Sequence, residues 1–151
     1  MQKYLGVKLI EAKPMTRGDY NTYRGWTIPA DENPFDEGFL VVYPDGYESW
    51  SPKQQFEEAY REIDEGSMTF GLAIEAMRKG LKVSRKGWNG KGMFIFLREG
   101  RRITGVNPDS PMGGDFTSLP HFCMRSAQGD CVVGWLASQT DMLAEDWCIV
   151  E

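Results

Sequence analysis

The stretch Thr69 to Leu97, TFGLAIEAMRKGLKVSRKGWNGKGMFIFL, decides the fold class, because its hydrophobic period changes twice within one connected segment. Phe70, Ala73, Ile74 and Met77 recur at spacings of three and four, which predicts an amphipathic helix through Lys79. Thr69 suits the N-cap, Arg78 and Lys79 fall in the dipole-favoured last turn, and Gly80 is the stop. Leu81 to Arg85 then alternates as a strand, Lys86 to Gly92 (KGWNGKG) is a glycine-rich turn, and Met93 to Leu97 is an apolar strand. A helix followed by a hairpin accounts for the whole stretch.

Working toward the C-terminus, Thr104 to Ser118 carries three glycines and two prolines without a period, which predicts a long loop. Leu119 to Ala127 and Cys131 to Trp135 read as a second hairpin over Gln128-Gly129-Asp130. Ser138 to Glu145 suits one or two helical turns, and Trp147 to Val150 a last strand. Working toward the N-terminus, Tyr4 to Glu11 alternates as a strand stopped by Pro14, and Thr16 caps a short helix that ends by Gly25. Phe39 to Tyr43 and Tyr47 to Trp50 flank a Pro44-Asp45-Gly46 turn. Ser51-Pro52 predicts a helix start, with Gln54 completing a capping box, Phe56, Ala59, Tyr60 and Ile63 on one face, and Asp64-Glu65-Gly66 as its close. The expected class is α+β: a mainly antiparallel sheet with one principal helix in a C-terminal module, preceded by a small α+β module.

Composition and charge change at Gly66-Ser67, so the expected modules are 1–66 and 67–151. The first holds 7 Lys and Arg against 13 Asp and Glu, the second 10 against 9. A module of that size buries only about 60% of its unfolded surface, so the first is expected to lean on the second or on an oligomer. The net charge of −5 disfavours long nucleic acid, whose binding needs clustered cations along the phosphates. Yet nine Lys and Arg between Arg78 and Arg102 share their window with one acid, Glu99, which suits a small anionic ligand as well as a solvated helix end and strand edge. With no apolar run of about 20 residues and no signal-peptide core, the chain is expected to remain in the cytoplasm where it is made, away from membranes.

Chemistry-bearing clusters are few. Cys123, Cys131 and Cys148 lack metal-ligand spacing and have only His121 as a histidine partner, so neither a metal nor a cofactor is implied, and His121 reads as a strand residue rather than a general base. In Arg85-Lys86-Gly87-Trp88-Asn89-Gly90-Lys91-Gly92, glycines admit a close backbone approach, cations neutralise phosphate, and Trp88 offers a flat ring; the alternative makes Trp88 a core plug in an ordinary turn. Trp135-Leu136-Ala137-Ser138-Gln139-Thr140-Asp141 follows an indole with hydroxyls, an amide and a carboxylate, which suit ribose and base edges or, equally, a helix cap. Glu145-Asp146 reads either as a paired acid site or as an acidic helix end.

Residues 67–151 resemble the Thoeris anti-defence protein two family, a family of short phage and prophage proteins. The resemblance rests on Met68-Thr69-Phe70-Gly71 through Gly80, on Val83 to Phe94, and on Trp135 to Trp147. It implies a sponge: a protein that binds glycocyclic ADP-ribose, made from NAD by a bacterial TIR enzyme, and holds it intact so that the Thoeris effector stays inactive. For some members it also implies cyclic dinucleotides of CBASS defence, and it implies homo-oligomers, typically tetramers, with pockets between subunits. On matching positions, Trp88 would stack on a base, Asn89 would orient it, and Thr140 and Asp141 would bind ribose hydroxyls or a base edge, with Trp135 and Gln139 as further contacts. Charge alone adds Arg85, Lys86 and Arg125 as phosphate partners. The expected function is therefore sequestration without catalysis in the host cytoplasm. Two rivals remain: hydrolysis of the same signal with Asp141 or Glu145 as general acid or base, and a protein-interaction module anchored by Trp88 and Trp135.

Overall fold

A computed structural model describes residues 1–3, 5–63 and 66–151. The chain divides into two compact units, Met1–Arg61 and Glu62–Glu151, so the division precedes the change in composition at Gly66.

In the first unit three antiparallel strands, β1 (Glu11–Pro14), β2 (Gly38–Val42) and β3 (Glu48–Pro52), lie in the order β1-β2-β3. Helix α1 (Arg17–Arg24) starts where expected: Thr16 caps it by accepting from the Asp19 amide, and Gly25 ends it. The β2–β3 turn also forms, with Gly46 at a φ of 82°, a conformation that favours glycine. Two expectations fail. The strand expected over Tyr4–Glu11 lies instead at Glu11–Pro14, where register runs from Glu11 opposite Val42 to Pro14 opposite Phe39. Earlier residues would face Tyr43 and Pro44, where β2 already turns away; Tyr4 is outside the described residues. Ser51 and Pro52 do not open a helix but finish β3, opposite Phe39 and Gly38. The ladder to β2 claims that backbone, so α2 (Lys53–Ala59) begins after Pro52 without a side-chain cap, and Gln54 bonds Glu58 instead of closing a capping box. Helix α2 also ends before Ile63, and Asp64 and Glu65 of the expected close are outside the described residues.

The second unit is built on α3 (Phe70–Arg78), capped by Thr69 and followed by Gly80 at a φ of 83°. A five-stranded antiparallel sheet has the order β10-β4-β5-β8-β9, from β4 (Lys82–Arg85), β5 (Phe94–Arg98), β8 (His121–Arg125), β9 (Cys131–Val133) and β10 (Trp147–Val150). Alternation sends Val83 and Ile95 to one face, where they are buried with Met68, Ala73, Met77 and Trp147. Burying each large apolar side chain contributes about 1.5–3 kcal/mol. β9 ends at Val133 because the amides of Gly134 and Trp135 both donate to the Phe122 carbonyl, two residues facing one as in a bulge. The segment expected to be one long loop, Thr104 to Ser118, contributes one short strand, β7 (Phe116–Thr117), which pairs with β6 (Arg102–Ile103) just before the segment. The architecture is α+β with mostly antiparallel sheets and one principal helix, as the periodicity predicts.

Candidate functional site

Helix α4 (Gln139–Met142) begins with a reciprocal cap. Ser138 Oγ accepts from the Asp141 amide at 3.1 Å, while Asp141 Oδ2 accepts from the Ser138 amide at 3.1 Å and from its hydroxyl at 2.7 Å. Asp141 is only 9% exposed, and its other oxygen serves residues outside the helix. Oδ1 accepts from Arg85 Nη1 at 2.8 Å and from Trp88 Nε1 at 3.1 Å. Four hydrogen bonds on two oxygens occupy the carboxylate. Burial alone would raise its pKa, but the bonds from Ser138, Arg85 and Trp88 outweigh it and bring the group down to about 2.

Arg85 ends β4 and joins two acids that are distant from it in sequence. Its Nε donates to Asp146 Oδ1 at 2.8 Å and its Nη1 to Asp141. Arg85 in turn holds the Asp146 carboxyl below the usual carboxylate range. Asp146 also accepts from the Gly87 amide at 2.8 Å. Glu145 and Asp146 thus do not act as a pair: Asp146 turns to Arg85 and Gly87, and Glu145 is exposed.

Trp88 combines both uses considered for it. Half-buried, it meets Trp147 edge-to-face at 5.4 Å and Trp135 at 6.1 Å, so it closes one side of the core. Each such aromatic contact contributes about 0.5–1.5 kcal/mol beyond burial. Trp147 is fully buried, and its Nε1 donates to the Asp141 carbonyl at 3.0 Å, fixing the helix turn that carries the carboxylate.

The fold therefore brings together Arg85, Trp88, Trp135 and Asp141. Asn89 is exposed beside Trp88 in sequence, and Gln139 and Thr140 are exposed on α4, with Thr140 Oγ1 2.8 Å from Ser138 Oγ. The Lys86 amide donates to the Asp146 carbonyl, which ties the glycine-rich turn to β10. Arg125 is not part of this group. It faces Phe94 across β8 and β5, on the sheet face opposite Ile95, and lines a cavity of about 400 Å³ with Lys82, Phe96 and Cys131. Reading the sequence missed Asp146 as a partner of Arg85, because 61 residues separate them and no local signal joins the two positions.

His121 begins β8, with Nδ1 2.7 Å from the Leu119 carbonyl, and among the described residues no group of three or more His, Cys, Asp or Glu is arranged to hold a metal ion. No helix among them is long and apolar enough to cross a membrane.

A family model described as the Thoeris anti-defense 2-like domain matches residues 68–150, a span that contains every residue of the Arg85, Trp88, Asp141 and Asp146 cluster. The chain is also 40% identical over 88 residues to Thoeris anti-defense 2 of Bacillus phage SP01, a match covering 55% of this chain and 94% of that relative. The chain therefore belongs to the Thoeris anti-defense 2-like family, which is a family of anti-defence proteins.

Proposed function

We propose that this protein blocks Thoeris defence by binding a cyclic nucleotide signal, glycocyclic ADP-ribose in the first instance, and holding it uncleaved. The observation that carries this reading is the indole of Trp88, set in place by the Asp141 carboxylate; Gln139 and Thr140, just before Asp141 in the chain, and Asn89, just after Trp88, are exposed polar side chains. A fixed aromatic ring stacks on a base at little entropic cost, and hydroxyls and amides both donate and accept toward ribose and base edges. Positive charge from the exposed Lys86 favours the pyrophosphate, whereas Arg85 is engaged by the carboxylates of Asp141 and Asp146. Cyclic dinucleotides share these groups and are the second ligand class to try; a homo-oligomer, with a tetramer as the working assembly, would complete the pocket.

Binding suffices for such a role, because a signal held by excess protein is removed by mass action. Hydrolysis is less well served. A general acid needs its proton at neutral pH, and Asp141, at about 2, has none to give and is a weak base. The deciding experiment incubates the protein with glycocyclic ADP-ribose, heat-denatures it, and assays the supernatant. Intact ligand that reactivates a Thoeris effector supports sequestration; a hydrolysed product assigns catalysis, and ligand that never left solution removes the nucleotide reading.

A further inference from the structure

Trp88 is held from two directions, and both lead to Asp146. On the backbone side, Asp146 Oδ2 accepts from the amide of Gly87, the residue that precedes Trp88, at 2.8 Å. On the side-chain side, Asp146 Oδ1 takes Arg85 Nε at 2.8 Å, Arg85 Nη1 reaches Asp141 Oδ1 at 2.8 Å, and that same oxygen takes Trp88 Nε1 at 3.1 Å. We propose that Asp146 is the positioning residue for Trp88, setting the indole through Arg85 and Asp141 without itself touching the ligand.

Four features support this relay. The guanidinium is planar and its donors have a fixed fork, so bonding Asp146 through Nε orients the Nη1 that serves Asp141. The Arg85 side chain is only 17% exposed, so little water competes for these donors. Asp141 already accepts four hydrogen bonds, which leaves the ring it holds as its principal means of acting on a bound base. Asp146 is itself anchored, because its carbonyl accepts from the Lys86 amide and it directly precedes β10, whose Trp147 lies opposite Arg85. A site preset in this way loses less freedom when it captures a ligand.

The ligand part of this inference rests on the nucleotide reading above; the relay itself does not. The test therefore has two arms on the full chain. In ligand-free protein labelled with ¹⁵N, the Trp88 indole resonance, identified by its loss in Trp88→Phe, is expected downfield and slow to exchange. Asp146→Asn and Arg85→Lys should each move it upfield and speed its exchange, with the Trp147 indole resonance unmoved. In calorimetry with glycocyclic ADP-ribose, each single variant should bind about tenfold more weakly, the lower end of what losing a support behind a metal ligand costs in metal sites. The double variant should be no weaker than Asp146→Asn alone, because that change already breaks the chain through Arg85. A Trp88 resonance that stays in place in both variants overturns the relay, and so do additive losses of affinity, which would mean that Asp146 serves only the Gly87 turn. If Asp146→Asn does not fold, Arg85→Lys decides by the same resonance. If the wild-type protein binds no nucleotide, the proposed function falls and the resonance arm still judges the relay.

Discussion

Trp88 Nε1 lies 3.1 Å from Asp141 Oδ1, a bond between residues 53 apart in sequence that ties the glycine-rich turn to the cap of α4. The two residues are thereby one unit, and substitutions at Trp88 should separate its two contributions. Trp88→Phe keeps a ring but removes the donor, and should cost about 1.5–3 kcal/mol of stability, the range for a hydrogen bond to a charged group. Trp88→Ala also removes the contacts with Trp147 and Trp135 and should cost about 3 kcal/mol or more. Nucleotide affinity should fall modestly in the first and be lost in the second, while size-exclusion with light scattering shows an unchanged assembly. An Ala variant that binds but no longer assembles would support the interaction-module reading instead.

Acid should weaken the second unit through Asp141. Its folded pKa of about 2 lies below the ordinary value for an unfolded aspartate, near 3.9, so the folded state favours the ionised form. The resulting stability is fully present above about pH 5 and is lost as pH falls through the unfolded value toward 2. Its size is on the order of 2 kcal/mol. Urea midpoints measured from pH 6 down to pH 2 should fall in the wild type, and Asp141→Asn should lack that part of the slope.

In the first unit Glu32 shifts in the same direction, since the paired bond from Arg17, with a further one from Asn21, brings it to about 2. Glu32→Gln should therefore flatten the acid dependence of signals from that unit, read as Trp26 and Trp50 fluorescence against pH. An unchanged profile would mean that Arg17 does not hold Glu32 in solution.

Gly87 and Gly92 flank Trp88 and should respond to alanine for different reasons. A Cβ on Gly87 would stand 2.8 Å from Asp146 Oδ2, an oxygen already held by the Gly87 amide, so Gly87→Ala must push the carboxylate away. A loss of about 1–3 kcal/mol and a shifted Trp88 resonance are expected. At Gly92 nothing lies within 4 Å, but φ is 73°, so alanine there costs about 1 kcal/mol through the backbone alone and leaves the Trp88 resonance in place. The resonance, followed alongside thermal melts, distinguishes the two.

Gly38 provides the corresponding test in the first unit. A Cβ there would collide with the Trp50 ring and the Ser51 carbonyl, at the end of the β2–β3 ladder where Gly38 faces Pro52. Gly38→Ala should destabilise that unit by about 2 kcal/mol or more. Trp50 Nε1, which donates to the Met15 carbonyl at 2.8 Å, supplies the reporter as an early loss of protection in hydrogen exchange.

Local chemistry made much of this legible from sequence. Thr16 and Thr69 cap the helices they were expected to cap, and Gly46 turns its hairpin, because each effect is settled within four residues by a hydroxyl, a dipole or a permitted φ. Ser51 shows where such reasoning fails. Its local signal was as good as that of Thr69, but a cross-strand partner, Phe39, claimed its backbone, and pairing with a distant strand is invisible to a window of neighbours. The same holds for Tyr4–Glu11, where alternation was adequate and β2 had no residues left to offer.

The α+β class, the helix-and-hairpin frame of the second unit, the basic window around Trp88 and the motifs that carry the family resemblance can all be read along the chain. Those properties follow from spacing and composition. Which charges meet depends on the folded arrangement. It turned Arg85 toward Asp141 and Asp146, set Arg125 on the opposite sheet face, and made Trp88 both a core residue and the ring of the candidate site. The physical reason is range: caps and turns form between neighbours along the chain, whereas ion pairs and aromatic contacts form between neighbours in space, and antiparallel pairing of β4 with β10 places Trp147 opposite Arg85.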